Sequence, residues 1–363
     1  MKYIKIIGSV FILFCLALTG VLIWILPDKI ESENENRILA GKPELNAQKI
    51  ISTEYQSNLN NYLSDQFPAR DCFMMVGTEL KFLSGKRDFS NTYIGKDNYF
   101  FEKVLDSNID ENRFKNNLSA VDNLAKKNPD INFTNILIPS SGTILKEKLP
   151  PFAEMYDFQK LYSTAESELE YCKTVNIYSA LRQHKKEYIY YRTDHHWTTF
   201  GAYIGYTAYT GNKDQLKQTK ATDSFCGTLH SKTLKLNVQP DIIYLPEIPD
   251  SLKITANGKQ IEVFDRSTLN KKDKYKVFFG GNYGIVDITG GNGTGTLLVI
   301  KDSFANCFVP FLTNDYERII MIDMRYYSGS VSTLMKNEKI DEVLVLYEMN
   351  NFAGDTSIAK LAM

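Results

Sequence analysis

The residues best placed to do chemistry lie in two short segments. The first, Tyr191-Arg192-Thr193-Asp194-His195-His196-Trp197-Thr198, holds two of the four histidines of the chain beside a carboxylate and an indole. Asp194 and His196, two positions apart, cannot face each other on a regular strand or helix. A tight turn, however, brings the carboxylate to one imidazole nitrogen while the other points into a cleft, the arrangement of a general base with a fixed tautomer. The second, Leu298-Val299-Ile300-Lys301-Asp302-Ser303-Phe304-Ala305-Asn306, reads as a buried strand leading through a polar turn into a helix. There Ser303 is expected at the C-terminal edge of a sheet and at a helix N-terminus, whose unbonded N–H groups can stabilise an oxyanion. Taken alone, Ser303 reads equally well as a helix N-cap.

Two other readings of the first segment stay open. Asp194, His195 and His196 are also ligand types suited to zinc or manganese. Only His184 and His230 remain as further histidines, no H-x-x-x-H or second acidic cluster accompanies the segment, and no metal is expected. Alternatively, both histidines are hydrogen-bonded near a core tryptophan in an inactive domain. His195 and Trp197 are expected to support the site rather than react. Oxyanion or substrate candidates are Asn306, Asn282, Asn350 or Asn351, and Arg325, the last expected chiefly to pair with Asp323.

Together, Thr193-Asp194-His195-His196-Trp197 and Lys301-Asp302-Ser303-Phe304 resemble the DHHW family, which is similar to the AlgX/AlgJ alginate O-acetylation proteins and carries SGNH-hydrolase-like domains. Weaker markers follow the family's order: Glu35-Asn36-Arg37, Asp65-Gln66-Phe67-Pro68-Ala69-Arg70 and Ile94-Gly95-Lys96-Asp97. The resemblance implies Asp194 and His196 as acid and base and Ser303 as nucleophile. It further implies acetyl transfer to hydroxyls of an exopolysaccharide or cell-wall polysaccharide outside the membrane, with a membrane-bound O-acyltransferase as donor. No cofactor is implied. A carbohydrate acetylesterase and a non-catalytic polysaccharide-binding subunit of a synthase complex are the alternatives. One position departs from the pattern: the glycine of the usual G-D-S is Lys301, which removes conformational freedom from the turn.

The elements that must position these residues read as α/β, with a parallel sheet flanked by helices. Continuous apolar runs at 132–139, 296–300 and 343–347 predict buried strands, and Tyr188-Ile189-Tyr190-Tyr191 is a further strand candidate. Helices are predicted near 55–63, 70–83, 157–173 and from Thr198 through Tyr209. Residues 211–292 alternate short β-like runs (252–255, 260–264, 275–279) with turn pairs such as Asn257-Gly258, predicting a hairpin-rich insertion. The expected organisation is therefore a transmembrane anchor over 1–26, a stem and N-terminal helices over 27–90, and an SGNH-like domain over 91–363.

Residues Ile6 to Leu26 carry no charge, a run long enough to cross a bilayer. Lys2 and Lys5 precede it and Asp28, Glu31, Glu33 and Glu35 follow, predicting a single-pass protein of the cell membrane with its main domain outside. A cleaved signal peptide would have a shorter apolar region and a small-residue cleavage site. The acidic run Glu31–Arg37 reads as a solvated spacer.

Composition narrows the partners. With 363 residues and 43% hydrophobic content the chain can build a large core, while 42 basic against 43 acidic residues leave no positive field for nucleic acid. Of five cysteines, Cys15 lies in the apolar run, and the other four permit disulfides without requiring them.

Overall fold

The sequence dictates two apolar elements, a long N-terminal helix and a sheet covered on both faces. In the computed structural model, which describes residues 2–362, the chain divides into two compact units: Met1–Lys86 with Ser231–Asn237, and Arg87–His230 with Val238–Met363.

In the first unit, helix α1 spans Lys2–Ile25. Its segment Ile6–Ile25, 20 residues of mean hydropathy 2.7, is long and apolar enough to cross a membrane. The side chains of Lys2 and Lys5, on which the expected orientation rests, lie outside the described residues. Below α1, the Tyr62 hydroxyl donates to Asp28 at 2.8 Å, and the Trp24 and Tyr62 rings meet at 6.3 Å. Tyr62 belongs to α2 (Glu54–Asp65), which is followed by α3 (Arg70–Leu83). The acidic run does not act as an extended spacer. Glu31–Ser32 pairs antiparallel with Arg37–Ile38, Arg37 holds Asp65 with its two terminal guanidinium nitrogens, and Arg70 pairs with Glu35. Opposite charges at close range fold it back onto the two helices.

The second unit is built on an eight-stranded sheet. Its strands in chain order are β1 (Asn132–Ile138), β2 (Lys173–Thr174), β3 (Lys253–Ala256), β4 (Lys259–Ile261), β5 (Ile285–Thr289), β6 (Thr296–Lys301), β7 (Arg318–Ile322) and β8 (Glu342–Glu348). Their spatial order is β4-β3-β5-β7-β6-β8-β1-β2. From β7 to β2 every pairing is parallel, and from β4 to β7 every pairing is antiparallel. The sheet is therefore mixed where a parallel one was expected. The hairpin-rich stretch supplies the difference: β3 and β4 turn at Asn257-Gly258, both at positive φ, and β5 seats them on β7. Elsewhere in that stretch Gln218–Phe225 and Asp241–Pro246 form a separate antiparallel pair.

Side-chain alternation explains the continuous apolar runs, because a strand covered on both faces must be apolar at every position. Leu298 and Ile300 of β6 face one layer, with Phe114, Leu118 and Val121 of α4 (Glu111–Lys126) and Leu161 of α5 (Phe158–Glu168). Leu297 and Val299 face the other, with Ala202 and Ile204 of α6 (Thr199–Thr210) and with Trp197 and Phe304. Two expected strands are absent. Tyr188–Tyr191 makes only the single bridge Tyr190–Trp197, because the chain reverses at once, and 275–279 holds the 3-10 turn Lys274–Val277. All five cysteines are free.

Because Leu298 is fully buried on the central strand, Leu298→Ala leaves a cavity between β6 and α4. We expect it to lower unfolding free energy by about 2–5 kcal/mol, read as a shift of the urea midpoint at unchanged slope.

Candidate active site

The first chemical segment is a turn. Tyr191 N–H donates to the His196 carbonyl at 3.2 Å and Thr198 N–H to the Ile189 carbonyl at 3.0 Å, so Asp194 and His195 lie at its tip. Thr198 then caps α6 by accepting from Gly201 N–H. The turn is anchored by a carboxylate from a distant strand: Asp241 accepts from Tyr188 OH at 2.5 Å, Arg192 N–H at 2.7 Å, Thr193 N–H at 2.8 Å and Thr193 OH at 2.5 Å. Four donors on one buried carboxylate fix the backbone immediately before Asp194.

At the tip, Asp194 Oδ1 lies 2.6 Å from His196 Nδ1 and also accepts the His196 N–H at 3.0 Å. Its Oδ2 accepts from Thr228 N–H at 2.8 Å and Thr228 OH at 3.0 Å. Gly227 permits this approach, since a Cβ there would stand 2.3 Å from Asp194 Oδ2. On the far side of the ring, His196 Nε2 lies 2.8 Å from Ser303 Oγ. The path from carboxylate through imidazole to hydroxyl is unbroken.

Ser303 opens the 3-10 turn Ser303–Cys307 directly after β6. Asp302 caps that turn: Oδ1 accepts Phe304 N–H at 2.9 Å, while Oδ2 accepts Glu348 N–H at 3.0 Å and the Asn351 amide at 2.7 Å, tying the turn to the end of β8. The Ser303 N–H has no partner among the described residues. The two segments are joined by Trp197, whose indole N–H donates to the Phe304 carbonyl at 2.9 Å, and by Tyr275, whose hydroxyl donates to the Ser303 carbonyl at 3.1 Å. The Tyr275 ring lies face-on to His196 at 3.8 Å between centroids, inclined by 11°.

Electrostatics set the protonation states. Burial alone would raise the Asp194 carboxyl, but His195, His196 and the hydrogen bonds from His196 and Thr228 outweigh it and hold it well below the usual carboxylate range. Burial, reinforced by the neighbouring His195, pulls His196 down to about 4 against the opposing pull of Asp194. At neutral pH the imidazole is therefore uncharged. With Nδ1–H committed to Asp194, Nε2 presents its lone pair to the Ser303 hydroxyl, the state a general base requires.

The remaining expected residues fall in definite places. His195 bonds Thr228 Oγ1 through Nδ1 at 2.8 Å, with its ring 3.9 Å from that of His196. Asn306 and Asn282 turn their amide oxygens to the buried Lys301 ammonium at 2.8 and 2.9 Å and bond each other at 3.1 Å. Arg325 grips Asp323 with two nitrogens, at 2.8 and 2.6 Å. Asn350 stands in the first turn of the helix Met349–Gly354, and it is Asn351 that reaches Asp302. Lys301 itself lies in β6 at ordinary negative φ, so the freedom of a glycine goes unused at this position.

Ligating atoms of Asp194, His195 and His196 do lie within 4.8 Å of one another. Both His196 ring nitrogens, however, are already engaged, with Asp194 and with Ser303. Asp241, Thr228, Gly227 and Tyr275 are site residues to which the sequence assigns no role, and Asp302 appears there only as part of the motif around Ser303. Only Asp302, adjacent to Ser303, carried a local signal.

Residues 156–322 match the DHHW protein family. That segment contains Asp194, His195, His196, Trp197 and Ser303. A DHHW family protein from Eubacterium siraeum has a similar structure, with 23% identity and a TM-score of 0.63 over 75% of this chain and 95% of that one. So does PatB1 of Bacillus cereus, with 21% identity and a TM-score of 0.62 over 73% of this chain and 97% of that one; PatB1 has also been solved with a sulfonyl adduct. The O-acetyltransferase domain of Pseudomonas putida AlgJ is a looser match, at 14% identity and a TM-score of 0.48. At these identities the likeness speaks to the DHHW fold, a mixed α/β domain on a large central sheet. No curated protein sequence matches the chain.

The anchoring carboxylate gives a direct test of how the DHHW turn is held. Asp241→Asn turns an amide group toward four hydrogen-bond donors and should cost about 2–4 kcal/mol of stability. Thermal melting should register the loss, and an unshifted melt would mean that Asp241 does not hold the turn.

Proposed function

We propose that the protein is an extracytoplasmic O-acetyltransferase that moves acetyl groups onto hydroxyls of an exopolysaccharide or cell-wall polysaccharide through an acetyl-serine intermediate. The observation that carries this reading is the continuous hydrogen-bonded path from Asp194 through an uncharged His196 to Ser303 Oγ. An SGNH-hydrolase-like layout, with Ser303 just past the C-terminal end of a central strand, fits the same reading.

In the first half-reaction Ser303 Oγ attacks the carbonyl of an acetyl ester or thioester while its proton passes to His196 Nε2. The carbonyl oxygen becomes an oxyanion beside the unbonded Ser303 N–H, and Asp194 stabilises the imidazolium. The oxyanion collapses, His196 returns the proton to the leaving group, and acetyl-Ser303 remains. In the second half-reaction a sugar hydroxyl gives its proton to the same nitrogen and attacks the acetyl carbon, restoring Ser303. A membrane-bound O-acyltransferase is the donor partner in this scheme, and α1 anchors the chain beside it. Water as acceptor would make the protein a carbohydrate acetylesterase.

Reactivity of Ser303 is the decisive test. Phenylmethylsulfonyl fluoride should add one phenylmethylsulfonyl group, mapped by peptide mass to Ser303. Ser303→Ala should take up none and should lose turnover of p-nitrophenyl acetate by at least about a thousandfold. Labelling elsewhere with undiminished turnover would discard the proposal. Product masses on an oligosaccharide acceptor separate transfer from hydrolysis.

The acid limb supplies a second test. Because the folded protein lowers His196 from 6.5 to about 4, the proton-accepting form persists from neutral pH down to that value and is lost only below it. Turnover of the small ester should therefore stay level from about pH 7 to pH 5 and fall about tenfold per unit below pH 4. An acid limb centred near the ordinary histidine value would contradict the assignment of His196 as the base.

A further inference from the structure

A cavity of about 430 Å³ opens beside α6, at the edge of the sheet opposite Ser303. Its walls come from the N-terminal approaches to β6 and β7 and from the 212–217 and 246–249 segments. Ser303 follows the other end of β6. Six residues of strand separate the two places, a distance of roughly 20 Å.

The chemistry of the lining is specific. Tyr203, half-buried on α6, packs on Phe311 at 5.8 Å and donates its hydroxyl to the Asp214 carbonyl, which fixes its ring against one wall. Ile248 adds a second apolar surface. The lining also includes Asn292 and Asn314, both exposed and joined at 3.2 Å with Asn292 donating, so the Asn314 amide nitrogen keeps its donors. The Asp214 carboxylate and the Gln215 amide have no side-chain partner among the described residues.

The asparagine pair is held by backbone. Gly291, Asn292 and Thr294 donate their N–H groups to the carbonyls of Glu317, Thr313 and Asp315, and a Cβ on Gly293 would meet the Asp315 carbonyl oxygen at 1.9 Å. A fixed aromatic ring lining the same cavity as amide and carboxylate groups is what a pyranose needs, since its C–H face packs on a ring and its hydroxyls both donate and accept. Charge narrows the class: among the residues that line the cavity the charged ones are Lys217 and Glu247, paired at 3.6 Å, and Asp214, which carries the remaining charge. A uronate would be repelled.

We propose that this cavity is a second saccharide-binding site, which holds an uncharged hexopyranose unit of the same polymer chain that is presented to Ser303 at the opposite edge of the sheet. The proposal rests on the polysaccharide acceptor inferred above. A chain of several units bridges the two places, and holding it at one raises its effective concentration at the other.

The test uses the full chain in detergent with Ser303→Ala, titrated calorimetrically with maltohexaose, cellohexaose, chitohexaose and an oligomannuronate hexamer. At least one neutral hexasaccharide should bind saturably, the uronate should not, and Tyr203→Ala and Asn314→Ala should each weaken binding at least tenfold. In chains that retain Ser303, the same two substitutions should leave p-nitrophenyl acetate turnover unchanged, which reports an intact fold. If Tyr203→Ala fails to fold, Asn314→Ala and Gln215→Ala decide. Absence of binding by every neutral probe, binding of the uronate alone, or equal binding by parent and variants would overturn the site. Tenfold loss in the variants of a chain that hydrolyses no ester would keep this site and remove the enzymatic proposal.

Discussion

A carboxylate that stays charged in the protein interior is the constraint from which the rest of the arrangement follows. Asp194 is almost wholly buried and negative, so every oxygen lone pair must find a donor. Thr228 supplies two, and His196 supplies its ring and its own backbone N–H. Meeting that demand dictates a glycine at 227, a second buried carboxylate at 241 to shape the turn, and an imidazole whose far nitrogen can point only one way. The strand that leads into Ser303 completes the path because it is central and buried. Precise placement of a hydroxyl needs both properties.

How much of this was legible follows from the range of each interaction. Strands β1, β6 and β8 announced themselves because a strand buried on both faces must be apolar at every position, and α6 was bounded by its Thr198 cap. The mixed character of the sheet was not legible: β3, β4 and β5 have the texture of free hairpins, and the one pairing that joins them to the parallel strands, β5 with β7, is with residues roughly thirty positions or more away. Tyr188–Tyr191 misled for a related reason, since its β-favouring aromatic residues are buried by the site and not by a neighbouring strand.

The site divides along the same line. Asp194, His196 and Ser303 stood out through local crowding of reactive types and strand-turn context. Asp241, Thr228 and Tyr275 act through contacts 34 to 79 positions from His196 or its turn. Nothing local distinguishes them from ordinary core or loop residues. Lys301 is instructive in another way. Where a glycine was expected for the turn, β6 simply continues at ordinary φ, and a buried ammonium gathers the amides of Asn282 and Asn306.

The Tyr275 ring lies flat against His196 while its hydroxyl grips the carbonyl of Ser303, so one side chain braces both partners of the 2.8 Å contact. Swinging the imidazole aside would mean sliding it out from under that ring and abandoning Asp194. The imidazole is thus a fixture with a single open direction. In the transfer proposed above, a molecule that collects the acetyl group from Ser303 has to reach that one nitrogen, and the choice among incoming molecules falls to the walls of the approach.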